Sequence, residues 1–188
     1  MEIDFLHFIQ GFHNRYLDSI MMFITKLGNA GVIWFVWSVF LFALPPMKRI
    51  LKKDCDDEYL NKIRKRRIVG VAALIALILT AIIANIGLKS IVGRPRPYQV
   101  DSSVELHFKC SDSSFPSGHT ASSFAAAMVI FFAYKKAGIV AIVLASLIAF
   151  SRMYFFVHFP TDILGGIVVG VLIAKVVNYF TEKKLSQS

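Results

Sequence analysis

Apolar residues in this chain come in long blocks rather than in narrow stripes. Leu27 to Met47 carries no charge and runs into Pro45-Pro46, and Ile68 to Leu88 is interrupted only by Thr80 and Asn85. Ser113 to Tyr134 is uncharged apart from His119. Ala137 to Ser151 is uncharged and its apolar character resumes after Arg152 through Val157; Ile163 to Phe180 is broken by Lys175 and Asn178. About 20 apolar residues cross a bilayer as a helix, so the pattern predicts five clear crossings. The first 27 residues read differently. Ile3, Leu6 and Ile9, with Phe5, Phe8 and Phe12, recur at helical spacing around Asp4, His7 and Gln10, which suits a helix lying in the interface. Tyr16 to Leu27 is a further helical stretch, with Asp18 near its start and Lys26 near its end, and is either interfacial or a short additional crossing. The expected fold is therefore all-α: a polytopic membrane helical bundle of about six transmembrane helices, five clear and the first one short, with an N-terminal interfacial helix. No repeat divides the chain, and residues 1–188 read as a single domain.

Composition agrees. Hydrophobic residues make up 56% of the chain and the mean hydropathy is +0.60, above what a soluble domain carries. The net charge of +9 would point to nucleic acid in a soluble protein, but here the basic residues lie between apolar blocks. Topology and anionic lipid account for them, and no nucleic-acid partner is expected. The opening MEIDFLHFIQGF lacks a basic n-region and a cleavage site, so no removable signal peptide is expected.

Residues 48–67 hold nine Lys/Arg against four Asp/Glu, and Lys135-Lys136 and Lys183-Lys184 are also basic. Counting crossings places these segments on one side, which the positive-inside rule makes cytoplasmic. Lys175 lies near that end and can snorkel out. The segment 93–116 and the turn near His158 then share the outer side, and Cys55 and Cys110 fall on opposite faces, which forbids a bond between them. One feature runs against the rule: Lys89, Arg94, Arg96 and Arg152 all sit at or near the outer face. Charge beside a membrane helix is expensive and is usually kept for function. Arg94 and Lys109 are equally well read as interfacial anchors.

Three segments converge there: KSIVGRPRP (89–97), PSGH (116–119) and SRMYFFVHFPTD (151–162). Lys89, Arg96 and Arg152 supply cationic donors, and the planar guanidinium fork suits phosphate oxygens. Ser117 and Gly118 open a helix whose first N–H groups are free to bind an anion. His119 and His158 lie beside this cradle. Asp162, four residues after His158, can bond one ring nitrogen and leave the other free to attack, unless Thr161 or Asp162 simply caps the following helix. The second imidazole can protonate a departing oxygen. A transporter of phosphorylated anions could use the same cations, but it has no need of an oriented His–Asp pair.

These residues bring the chain to a known family. It resembles the type-2 phosphatidic acid phosphatase superfamily, whose signature reads K-x6-R-P, then P-S-G-H, then S-R-x5-H-x3-D. Lys89 with Arg96-Pro97, Pro116-Ser117-Gly118-His119, and Ser151-Arg152 with His158 and Asp162 match it without a gap. The resemblance implies His158 as nucleophile forming a phosphohistidine, Asp162 as its orienter, and His119 as the acid that later activates water. It implies Lys89, Arg96, Ser117, Gly118 and Arg152 as phosphate-binding residues, and no metal or other cofactor. No carboxylate cluster near these segments would hold Mg²⁺. The small size resembles bacterial members that act on undecaprenyl diphosphate or phosphatidylglycerophosphate from the outer leaflet of the cell membrane. Gly166 with Gly170 and Ala121 with Ala125 are small-residue pairs that permit close helix packing, expected within one bundle.

Overall fold

The computed structural model describes residues 1–43 and 57–186, and among these every regular element is helical. Pro45-Pro46, Cys55 and the first half of the 48–67 segment lie outside the described residues. Helix α1 (Glu2–Gln10) precedes α2 (Arg15–Leu27), which starts where the Asn14 side chain accepts from the Tyr16 and Leu17 N–H groups. A 3₁₀ turn at Asn29–Gly31 leads into α3 (Val32–Ala43), and Gly31 takes φ of 68°, a left-handed conformation that glycine adopts without strain. Together α2 and α3 are long and apolar enough for one span, bent by 51°. Residues 16–27, read as interfacial or as a short additional crossing, thus pair with the described part of the 27–47 block as two limbs of one bent element.

Helix α4 (Asp57–Thr80) continues through a π-helical segment, Ala81–Leu88, into α5 (Lys89–Val92) and stops at Gly93, whose φ is 59°. The part of the basic segment from Asp57 to Arg67 is therefore the start of a helix and not a loop. After α6 (Pro97–Val100) the chain runs irregularly to α7 (Gly118–Ala133), then α8 (Lys135–Tyr154) and α9 (Pro160–Ser186). The helix expected from Ser113 begins only at Gly118, because Pro116 bars a helical residue before it and Ser117 caps the new start by accepting from the Thr120 N–H. Its 16 residues span about 24 Å, short for a crossing. Among the described residues, three helical stretches are long and apolar enough to cross a membrane, or four with the bent pair.

Helix α7 stands at the centre, against α4, α8 and α9. Its Ala121, Ala125, Ala126 and Ala127 are fully buried, and small residues let the backbones approach. A Cβ on Gly166 would come 2.8 Å from the Ser117 carbonyl oxygen, and one on Gly170 would come 2.5 Å from that of Ala121. The two small-residue pairs therefore face each other across α7 and α9, inside the bundle. The outside is apolar: Leu164, Val168, Leu172 and Val176 form an exposed stripe on α9, and Ile75, Ile78, Ile82 and Ile86 form another on the α4 rod. Apolar outside and satisfied polar groups inside is the pattern lipid demands. The buried Trp34 indole N–H, for example, donates to Ser123 Oγ at 2.9 Å. The chain is a membrane protein.

Candidate active site

The site is built at the end of the bundle where α5 stops and α7 and α9 begin. Between α8 and α9 the chain turns in five residues, Phe155 to Phe159. Phe156 sits at φ of 57°, unfavourable for a bulky side chain and held there by complete burial against the His7 ring at 5.3 Å. Leu6 and Ile9 of α1 pack into the same apolar cluster. This turn aims His158 inward, with only 1% of the side chain exposed.

The two nitrogens of His158 have different surroundings. Nδ1 lies 3.6 Å from Asp162 Oδ2 and 3.5 Å from Ser114 Oγ. Nε2 lies 3.3 Å from Arg96 Nη1. Asp162 is fully buried and satisfied on both oxygens. Oδ2 accepts from Ser114 Oγ at 2.5 Å and from the Phe159 N–H at 2.8 Å, and Oδ1 accepts from Arg94 Nη1 at 2.7 Å. Burial pushes the His158 imidazole down to about 3; the nearby Asp162 carboxylate opposes this and the charges of Arg96 and Arg152 add to it. The ring is thus neutral, with a lone pair to offer.

The cations surround it. Arg96 donates through Nε to the Asp112 carbonyl at 2.8 Å, through Nη1 to that of Val157 at 2.7 Å, and through Nη2 to Asp112 Oδ1 at 2.6 Å. Lys89 Nζ donates to the other Asp112 oxygen. Arg152, 2% exposed, donates from Nη1 to Thr25 Oγ1 at 2.6 Å, and its buried Nε has no partner among the described residues. An unpaired buried donor is costly unless something else accepts from it. Ser117 Oγ accepts from the Thr120 hydroxyl at 2.9 Å, and the Ser117 N–H donates to the Asp162 carbonyl at 3.1 Å, which ties the start of α7 to that of α9. His119, one residue into α7, faces Asn29, with Nε2 2.9 Å from Oδ1. It lines one cavity together with Lys89, Asp112 and Gly118.

Lys89, Arg96, Ser117, Gly118, His119, Arg152, His158 and Asp162 all lie at this end of the bundle. Sequence reasoning missed Asp112, whose carboxylate bridges Lys89 and Arg96. Partial burial alone would raise that carboxyl, but the Lys89 and Arg96 charges hold it at about 2. Also missed were Ser114 on Asp162 and Asn29 on His119. Arg94, left open between an anchor and a site residue, holds Asp162, and it also grips Glu2 Oε2 at 2.7 Å and stacks on Phe159 at 4.1 Å.

A buried neutral imidazole oriented by a carboxylate, surrounded by cations and a helix N-terminus, is equipped for transfer of a phosphoryl group. The comparison with known proteins decides the family: the model of the PAP2 superfamily matches residues 69–186. The chain belongs to the PAP2 superfamily. It is similar to the undecaprenyl-diphosphatase BcrC of Bacillus subtilis, 27% identical over 161 residues, which cover 86% of this chain and 73% of that protein. Phosphatidylglycerophosphatase B of the same species is 38% identical over 84 residues, 39% of this chain and 41% of the relative. Among solved structures, LpxE of Aquifex aeolicus superposes with a TM-score of 0.70 at 26% identity, covering 95% of this chain and 94% of the other.

Proposed function

We propose that the chain hydrolyses undecaprenyl diphosphate, or a closely related lipid diphosphate, to the lipid monophosphate and phosphate through a phosphohistidine on His158. As a PAP2-superfamily enzyme it is a lipid phosphatase; the substrate and the covalent step are inferences from the site. The observation that carries them is the asymmetric environment of His158, with Nδ1 turned to Asp162 and a neutral Nε2 turned to the cations. The distal phosphate displaces the Asp112 carboxylate and takes up donors from Lys89, Arg96, Arg152 Nε, Ser117 and the Gly118 N–H. His158 Nε2 then forms a bond to the distal phosphorus. The bond to the bridging oxygen breaks, its electron pair stays on that oxygen, and His119, protonated once the bound diphosphate brings its negative charge beside the ring, supplies that proton to the lipid monophosphate. Next a water, losing its proton to His119, attacks the phosphohistidine and frees phosphate and His158. Every step uses side chains of this chain and no metal.

Placement follows from charge. Arg67 and Lys184 line one cleft, and Arg66, Lys135 and Lys136 line another, at the end of the bundle opposite the start of α7. With that end cytoplasmic, the site opens on the outer face of the cell membrane and meets lipids of the outer leaflet. The test is phosphate release by purified protein from undecaprenyl diphosphate and phosphatidylglycerophosphate, with a metal chelator present. Turnover of the diphosphate that survives the chelator and vanishes in a folded His158→Ala variant is expected. Turnover at the normal rate in that variant would overturn the mechanism, and preference for the glycerol lipid would overturn the substrate.

A further inference from the structure

A cavity of about 420 Å³ leads from the cations into the bundle. Lys89, Asn85, Ala81 and Leu77 line one wall at intervals of four residues, and Gly28, Gly118 and His119 line the others. Along that wall a charge is followed by a neutral amide and then by apolar side chains. Asn85 is exposed to this cavity and makes no side-chain hydrogen bond among the described residues. An unsatisfied amide on a membrane helix is expensive unless it serves a ligand or water. It lies in the π-helical segment, a local change of helical register that often accompanies function. It also sits hard against the start of α7, where a Cβ on Gly118 would fall 2.2 Å from its Oδ1. His119, which lines the same cavity, is held from behind by Asn29, with Nε2 2.9 Å from Oδ1. The Asn85 amide can turn either its carbonyl or its NH₂ inward.

We propose that Asn85 forms a second, uncharged subsite that receives the proximal phosphate of a lipid diphosphate, one turn deeper than the phosphate held by Lys89, with the lipid tail continuing over Ala81 and Leu77. The leaving oxygen then lies between this subsite and His119. Amides suit the task because hydrogen bonds to a neutral donor are weaker than those to a cation, so the lipid monophosphate is positioned during cleavage and released afterwards. This rests on the lipid diphosphatase reading and deepens it: a lipid monophosphatase would have no phosphate to place there, and Asn85 would carry no weight.

The experiment compares a prenyl diphosphate with the monophosphate of the same tail, in the unsubstituted enzyme and in Asn85→Leu, which keeps size in an open cavity. The ratio of kcat/KM for diphosphate over monophosphate is expected to fall about 10-fold or more, the effect of losing a hydrogen bond to a charged group. A ratio unchanged within twofold overturns the subsite, whether both activities fall together or neither does. Inhibition of the unsubstituted enzyme needs no variant: inorganic diphosphate should compete more tightly than inorganic phosphate, and equal inhibition also overturns the subsite. Failure to release phosphate from either lipid would instead overturn the phosphatase reading itself.

Discussion

At the scale of single residues, the account depends on who holds whom. Asp162 is fixed by Ser114, the Phe159 N–H and Arg94, and Arg94 in turn by Glu2. Arg94 touches no reacting atom and acts by positioning Asp162. Replacing it with Ala should lower kcat on the order of 10-fold with little change in KM, and Arg94→Lys should restore part of the loss. Steady-state kinetics of the two variants check this. Asp112 is predicted to act in the opposite sense. Its carboxylate competes with phosphate for Lys89 and Arg96, so Asp112→Asn should tighten inhibition by inorganic phosphate several-fold; weaker inhibition would mean that Asp112 organises the cations more than it blocks them. Lys89, Arg96, the PSGH stretch, Arg152, His158 and Asp162 were all legible in the sequence, because each motif is short and its residue types state their chemistry. Asp112, Ser114 and Asn29 were not. Their contacts join positions up to 90 residues apart, and no local spacing encodes such a pairing.

At the scale of elements, hydropathy located every helix of the core but misplaced its ends. Apolar content does not distinguish a helical Ser113 from one in a loop, and the loop is needed so that Ser114 can reach Asp162. The same blindness joined residues 27–47 into one crossing, where Gly28 and Gly31 allow a turn between α2 and α3. At Gly28 the helices nearly touch: a Cβ there would lie 2.7 Å from Ile148 Cγ2 and 2.9 Å from the His119 ring. Gly28→Val should therefore displace His119 and lower turnover as well as stability. Gly170→Val, which forces α9 off the α7 backbone away from the site, should cost about 1–3 kcal/mol of stability. Thermal unfolding in detergent, measured beside phosphate release, separates the two. Equal losses of turnover at both positions would argue against a special role for the α2–α3 turn.

At the scale of the whole molecule, the chain places basic residues at one end of a helical bundle and a cationic, histidine-bearing site at the other. An apolar belt between them keeps the lipid tail in the membrane while its phosphate reaches the site. The positive-inside rule gave this polarity from sequence. On the proposed orientation, the cations that depart from the rule are the ones gathered around His158 and Asp162. With Cys55 replaced by Ser, a membrane-impermeant maleimide should label Cys110 on intact cells; protection of Cys110 until the cells are broken would reverse the orientation. The measurement that bears most directly on the central claim is a rapid alkaline quench of the enzyme with a prenyl diphosphate labelled in its distal phosphate. The label should appear on the peptide between Arg152 and Lys175, on His158, and should be absent from His158→Ala. Full release of labelled phosphate with none passing through that histidine would contradict the account.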